Sequence, residues 1–281
     1  AQYVQWQKGD DIPYPPPAEE GSWVKYQLYT AQFYKDKEAL AAYWSHVQEI
    51  INRVNSLTGL PYKDDPTIMS WQLANEPRGI LNKRAYRSWI RKTAKLIKSI
   101  DSTHLVSIGS EGATPSKWAG TRFKRDHAIK GIDYTTLHIW VQNWGWYDPE
   151  QPEKSYPKAL EKAIDYLKWH EKRAKKLNMP LILEEFGISR DGNDHADTSA
   201  VSIRDRCYQD IFDYVYQAAQ EGRPLGGVNF WAWGGEGRPS EPHAVWKISD
   251  DFIGDPPHEY QGWYSVYERD VTTHEVIQTY A

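Results

Sequence analysis

Cysteine is almost missing. Cys207 is the only one among 281 residues, so neither an internal disulfide nor a cysteine metal cluster can form. It lies in "RDRCYQDIFDYV", a helical pattern in which a small apolar residue packs inside, so a structural role is expected rather than a reactive thiol. Long apolar runs are absent too, and the mean hydropathy of −0.75 excludes a membrane-spanning helix. Neither sign of charge dominates: 34 basic against 38 acidic residues give −4, and no basic block is long enough to follow a phosphate backbone, which argues against nucleic acid as a partner. No leader precedes Ala1, which leaves a cytoplasmic chain or the mature form of an exported one. No H-E-x-x-H or paired-histidine spacing occurs, so no metal is expected, although His138 and His195 fall near strand ends.

Phenylalanine is scarce beside its relatives. Six Phe stand against 14 Trp and 19 Tyr, a bias toward aromatics with a polar edge. A buried indole N–H or phenol O–H needs a partner, so core packing alone would favour Phe. Flat rings with polar rims suit surfaces that stack on sugars, whose C–H faces are apolar while the hydroxyls point sideways. An aromatic-rich core accounts for about half of these rings on the same reasoning.

What is present is a repeating order. Residues 1–30 include "KGDDIPYPPPAEEGSW", with four prolines and two glycines, and read as an irregular Pro-rich loop. From 30 to 57 the spacing predicts a helix with Leu40, Tyr43, Trp44, Val47, Ile50, Ile51 and Val54 on one stripe. Strands "TIMSWQLAN", "HLVSIGSEG", "IDYTTLHIW", "MPLILEEFG" and "GGVNFWAWGG" follow, with helices predicted over 83–100, 158–177 and 198–220 between them. The closing segment around "GWYSVYERDVTTHEVIQTY" reads as a strand pair or a short helix.

Apolar strands alternating with helices imply βα units and a parallel sheet. Each strand is apolar along its length and polar or aromatic at its C-terminal end. In a (β/α)8 TIM barrel the reacting groups project from those ends, where the βα loops converge. A doubly wound open sheet places its ligand at one switch point, and no G-x-G-x-x-G follows any strand here. The barrel is therefore the expected fold, as a single domain over 1–281, with five of the eight strands in view.

Two carboxylates stand out. Glu76 ends one strand and Glu185 another. Two carboxyls about 5–5.5 Å apart support glycoside hydrolysis by double displacement, one as nucleophile and one as acid/base. The nucleophile must stay ionised, while the acid needs a raised pKa from partial burial and the neighbouring charge. A lone strand-end glutamate is as readily a salt bridge or a cap; two in one βα series, beside aromatic strand ends, favour catalysis.

"WQLANEPRG", "HLVSIGSEG", "TTLHIW", "LILEEFG" and "NFWAWGG", in this order, resemble glycoside hydrolase family 5, and within it the endo-β-1,4-mannanases. The likeness covers residues 66–281. It implies Glu76 as acid/base and Glu185 as nucleophile, with Glu184 pointing away from the barrel centre. It further implies that Asn75 bonds the sugar 2-hydroxyl, that Arg78 reaches toward the leaving-group side and Glu111 contacts the cleft, that His138 stands near the nucleophile, and that Trp231 lies under the sugar at the cleavage point. Where the family has a tyrosine whose hydroxyl holds the nucleophile, this chain has Trp140. Trp144, Trp146 and Tyr147 are expected to stack sugars further along, with Trp263 assisting.

The same resemblance implies retaining endo-hydrolysis of β-1,4-mannan, glucomannan or galactomannan, without a cofactor, by a secreted or periplasmic protein. It also places residues 1–281 as strands four to eight of the barrel, leaving the first three to an N-terminal segment or a second chain. Rival readings are a β-1,4-glucanase of the same family, a non-catalytic carbohydrate-binding protein, and an inactive barrel fragment.

Overall fold

The computed structural model describes residues 1–116, 118–241 and 243–281. In it the apolar run before Asn75 becomes a short strand, β1 (Ser70–Gln72), paired in parallel with β2 (Leu105–Ser107), Trp71 opposite Val106. The Trp71 indole N–H donates to Asp101 Oδ2 at 2.6 Å, and His104 Nδ1 lies 2.6 Å from the same oxygen. That buried carboxylate ties β1 to the turn that introduces β2.

The chain divides into two compact units. The first comprises Ala1–Pro15, Glu20–Thr136 and Leu177–Pro180; the second comprises Pro16–Glu19, Leu137–Lys176 and Leu181–Ala281.

Helices α1 (Gln2–Lys8), α2 (Trp23–Thr30), α3 (Lys37–Asn52), α4 (Lys83–Ile100) and α5 (Phe123–His127) belong to the first unit. Residues 1–30 are thus not wholly irregular. The prolines cluster at 13 and 15–17, and the proline-free flanks on either side are free to coil. Helix α3 is narrower than the expected 30–57. Asp36 caps it, its side chain accepting from Ala39 N–H at 2.9 Å, and Val54 lies beyond it, 56% exposed. Its stripe packs as the spacing predicts: Tyr43 and Ile51 are buried with Trp89, Ile90, Ala94 and Ile97 of α4, and Leu40, Trp44 and Val47 flank them.

In the second unit α6 (Pro152–Leu177) begins before the expected Lys158. Pro152 suits a first turn, and Pro157 in the second turn forgoes one backbone hydrogen bond without ending the helix. The strands β3 (Thr135–Ile139), β4 (Leu181–Phe186) and β5 (Leu225–Val228) form one sheet in that order, β4 and β5 running parallel. Helix α7 (Ser202–Gln220) presents Tyr208 and Phe212 to Phe186, with ring centroids 4.9 and 5.6 Å away. Cys207 is buried on that helix, and burial pushes its thiol up to about 12, so it is inert packing. The chain ends with β6 (Trp233–Gly235), β7 (Val266–Tyr267) parallel to it, and α8 (Val271–Tyr280), so the closing segment contains both a strand and a helix. Among the described residues the strands form short sheets of two, three and two rather than one continuous sheet.

A buried ion cluster anchors that C-terminal segment. Arg190 Nη2 donates to both oxygens of Asp270 at 2.8 and 2.6 Å, and Arg204 Nη1 reaches the same carboxylate at 3.4 Å. Both guanidinium groups are fully buried.

Candidate active site

The first unit carries one half of the expected residues. Past β1 the backbone keeps its pairing: Leu73 N–H donates to Ser107 O at 3.1 Å and Glu76 N–H to Gly109 O at 2.9 Å. The approach requires glycine at 109, which has φ +73° and where a Cβ would sit 2.1 Å from Ala74 O. This is the physical content of the "GSEG" segment. The Ser110 N–H donates to Thr136 Oγ1 at 2.8 Å and that hydroxyl donates back to Ser110 O at 2.7 Å, fixing the β2 end.

Glu76 itself has φ 44°, a region few side-chain-bearing residues adopt, and strain of this kind concentrates at functional positions. Asn75 is exposed and Glu76 half-buried. Arg78 and Glu111 form a two-pronged ion pair, Nη2 to Oε2 at 2.7 Å and Nε to Oε1. Glu111 is buried, 1% exposed, and a carboxylate in the interior needs the cation that Arg78 supplies. It holds the Arg78 guanidinium.

The second unit carries the other half. His138 on β3 is buried, its Nδ1 3.0 Å from Glu185 Oε2 and its Nε2 3.8 Å from Glu184 Oε2. An ionised carboxylate only accepts, so an ionised Glu185 takes its hydrogen bond from the Nδ1–H of this ring. Glu184, expected to face away, also lies beside the imidazole. A ring with a nitrogen on each side reaches both of two successive strand residues, which the alternation of strand faces conceals in the sequence.

Trp140 and Trp231 meet edge to face, centroids 6.5 Å apart, and Trp140 also lies 5.0 Å from Tyr264. Gly187 permits this corner: a Cβ there would sit 2.7 Å from Trp231 O and 3.3 Å from the Trp140 ring. The Trp231 N–H donates to Phe186 O at 2.8 Å, so β4 sets the position of the tryptophan, and the Trp231–Ala232 peptide is cis.

In the loop after β3 one ring, Tyr147, departs from expectation. Trp146 and Tyr147 both turn their N–H groups back onto Val141 O, at 2.8 and 3.0 Å, which folds Tyr147 inward until it is 3% exposed. A buried ring cannot stack on a sugar, so Tyr147 is packing. Trp144 is half-buried, wedged against Trp146 at 4.9 Å and Tyr166 of α6 at 5.3 Å. Trp263 stacks on Tyr264 and its indole N–H donates to Asn193 Oδ1 at 3.0 Å. His195 is buried and stacked on His243, ring centroids 4.0 Å apart.

Two residues of this corner escaped the sequence reading. Tyr264 is buried against Trp140 and donates its hydroxyl to Asn143 Oδ1. They lie 121 positions apart, and no local pattern signals such a pair.

Comparison with known proteins then gives the affiliation. A mannan endo-1,4-beta-mannosidase of Solanum lycopersicum is 33% identical over 74% of this chain and 52% of its own length. The chain spans about half the length of the curated relatives it matches. Among solved structures, a glycoside hydrolase family 5 mannosidase from Rhizomucor miehei superposes with a TM-score of 0.86 at 38% identity, covering 99% of this chain and 66% of that one. The endo-beta-1,4-mannanase of Thermotoga petrophila gives 0.67 at 27%, covering 99% and 53%. A family profile described as GH family 5 beta-mannosidase-like matches residues 1–281, and on that match the chain belongs to the β-mannosidase-like members of glycoside hydrolase family 5.

Proposed function

We propose that the protein hydrolyses β-1,4-mannosidic linkages within mannans by double displacement, with retention at the anomeric carbon. The observation that carries the reading is the buried His138 imidazole held 3.0 Å from Glu185. A carboxylate so fixed is suited to attack the anomeric carbon, forming a glycosyl ester while Glu76 protonates the departing oxygen. Water then cleaves the ester, with Glu76 taking its proton. Asn75, exposed at the β1 end, is assigned the sugar 2-hydroxyl. Arg78, held by Glu111, is assigned the leaving-group side, and Trp231 and Trp140 the apolar wall beneath the reacting sugar. No step calls for a cofactor.

Strands β1 to β5 are read as strands four to eight of a (β/α)8 barrel, in keeping with relatives matched over half their length. The other three strands would come from protein other than residues 1–281. A polymeric substrate does not cross a bilayer, so the site of action is placed outside the cytoplasm. Cell fractionation tests that placement, and size measurement of the purified material tests completion by a second chain.

The deciding assay measures the chain lengths released from linear mannan, with carboxymethylcellulose as the competing substrate. A spread of short mannooligosaccharides from mannan, little release from carboxymethylcellulose, and loss of turnover in Glu185→Ala are expected. Turnover that survives Glu185→Ala would favour a binding protein. A second reading, removal of single mannose units from chain ends, draws on the likeness to the Rhizomucor miehei mannosidase. Mannose as the sole early product would select it.

A further inference from the structure

Beside the aromatic loop after β3, within the second unit, lies a pocket of about 210 Å³ whose floor includes Trp146. Its wall is the first half of α6, where Lys154, Lys158 and Lys162 recur every fourth residue and so share one face. Like charges at that spacing repel and weaken a helix unless something compensates them. Among the described residues, none of the three is in an ion pair with a carboxylate. Lys154 Nζ donates to Gln151 Oε1 at 3.1 Å, and Lys162 Nζ stands 5.9 Å from the Trp146 ring centroid. Asp148, the acidic residue of the lining, is already engaged: Glu150 N–H donates to its Oδ1 at 3.0 Å and the Gln151 amide to its Oδ2 at 3.1 Å. The pocket is therefore cationic within a protein whose net charge is −4.

The lining has three kinds of group in one small space. A flat ring braced edge-on by Trp144 and Tyr166 offers an apolar face. The Gln151 amide, which spends one N–H on Asp148, offers its second N–H, the Ser155 hydroxyl, which donates to Asp148 O at 2.9 Å, offers a lone pair, and a row of ammonium groups offers positive charge. A neutral sugar uses the first two and leaves the lysines idle. A phosphate or sulfate uses the lysines and leaves the ring idle. A sugar bearing a carboxylate uses all three: its C–H face lies on the indole, its hydroxyls meet the amide and hydroxyl, and its carboxylate meets the ammonium groups. We infer that the Trp146–Lys158–Lys162 pocket binds uronic acid residues of an acidic polysaccharide. This inference does not rest on mannoside hydrolysis, and its test reads binding alone.

Affinity electrophoresis of the full chain in gels containing polygalacturonate, polymannuronate, dextran sulfate or neutral mannan tests it. Retardation by a uronate polymer at low salt is expected, with the two uronates telling which sugar configuration the pocket prefers. In the Lys158→Ala, Lys162→Ala double variant the apparent dissociation constant for the uronate should rise tenfold or more, while mobility in neutral mannan stays as in the parent. Trp146→Phe, which keeps a ring and all the charge, should weaken uronate binding severalfold through the smaller face. No retardation by either uronate, equal retardation of parent and double variant, or dextran sulfate retarding as strongly as the uronates would each overturn the proposal. The last would mark a plain cationic patch.

Discussion

Asp270→Ala should be among the most destabilising single changes in the second unit. The carboxylate receives two hydrogen bonds from Arg190, a longer one from Arg204 and one from Tyr267 N–H at 2.9 Å. Removing it leaves two guanidinium groups, both 0% exposed, without their shared counter-charge. Breaking a buried pair from one side costs about 3–5 kcal/mol, because the surviving charge is stranded in low dielectric. The exposed pair Arg206–Glu153, 3.5 Å apart with side chains 47% and 80% exposed, is the control. Removing Glu153 should cost under about 1 kcal/mol, since solvent screens that pair. Urea unfolding followed by tryptophan fluorescence measures both, and a fall in midpoint at unchanged slope marks a true loss of stability. If Asp270→Ala costs no more than Glu153→Ala, the cluster does not anchor the C-terminal segment and the reasoning fails.

Acid should destabilise the first unit through His127. Burial lowers its pKa to about 4, and only the neutral ring fits, with Nδ1–H donating to Phe123 O at 2.8 Å and Nε2 accepting from Thr136 N–H at 3.4 Å. The unfolded chain takes up a proton near 6.5, so the stability is full above about 6.5 and is lost as pH falls toward 4, by about 3 kcal/mol in all. His127→Gln should flatten that part of the pH–stability curve measured by urea unfolding; an unchanged curve refutes the assignment. Gly109→Ala should cost more than Gly222→Ala. Both have positive φ, worth about 1–3 kcal/mol, but only at 109 does the new Cβ meet a backbone oxygen, at 2.1 Å, and thermal unfolding compares the two. Glu76→Ala should slow hydrolysis of substrates with poor leaving groups by about 10²–10⁴-fold and activated aryl mannosides far less. Equal losses on both would remove it as the acid.

Some of this was plain in the primary structure because its cause is local. Helices α3, α4 and α7 follow from apolar spacing at 3.6 residues per turn, and that period needs only neighbours to be read. The motifs "NEPRG", "GSEG" and "EEFG" marked strand ends, and the glycines in two of them prove to be where backbones come too close for a side chain. The family affiliation was legible in the same motifs. The helices flanking the prolines were not, since composition over 1–30 averages away short segments that differ from their surroundings.

What the chain's own order of residues determined, then, was the alternation of strand and helix and the chemistry waiting at each strand end. Only the tertiary structure decided that Glu111 is buried beneath Arg78, that Glu184 joins Glu185 beside His138, and that Tyr147 turns inward while Trp146 floors a cationic pocket. Each of those outcomes is a contact or burial set by segments brought together from different parts of the chain. A side chain's charge and shape are written locally, but its partner is chosen by which backbones pack beside it.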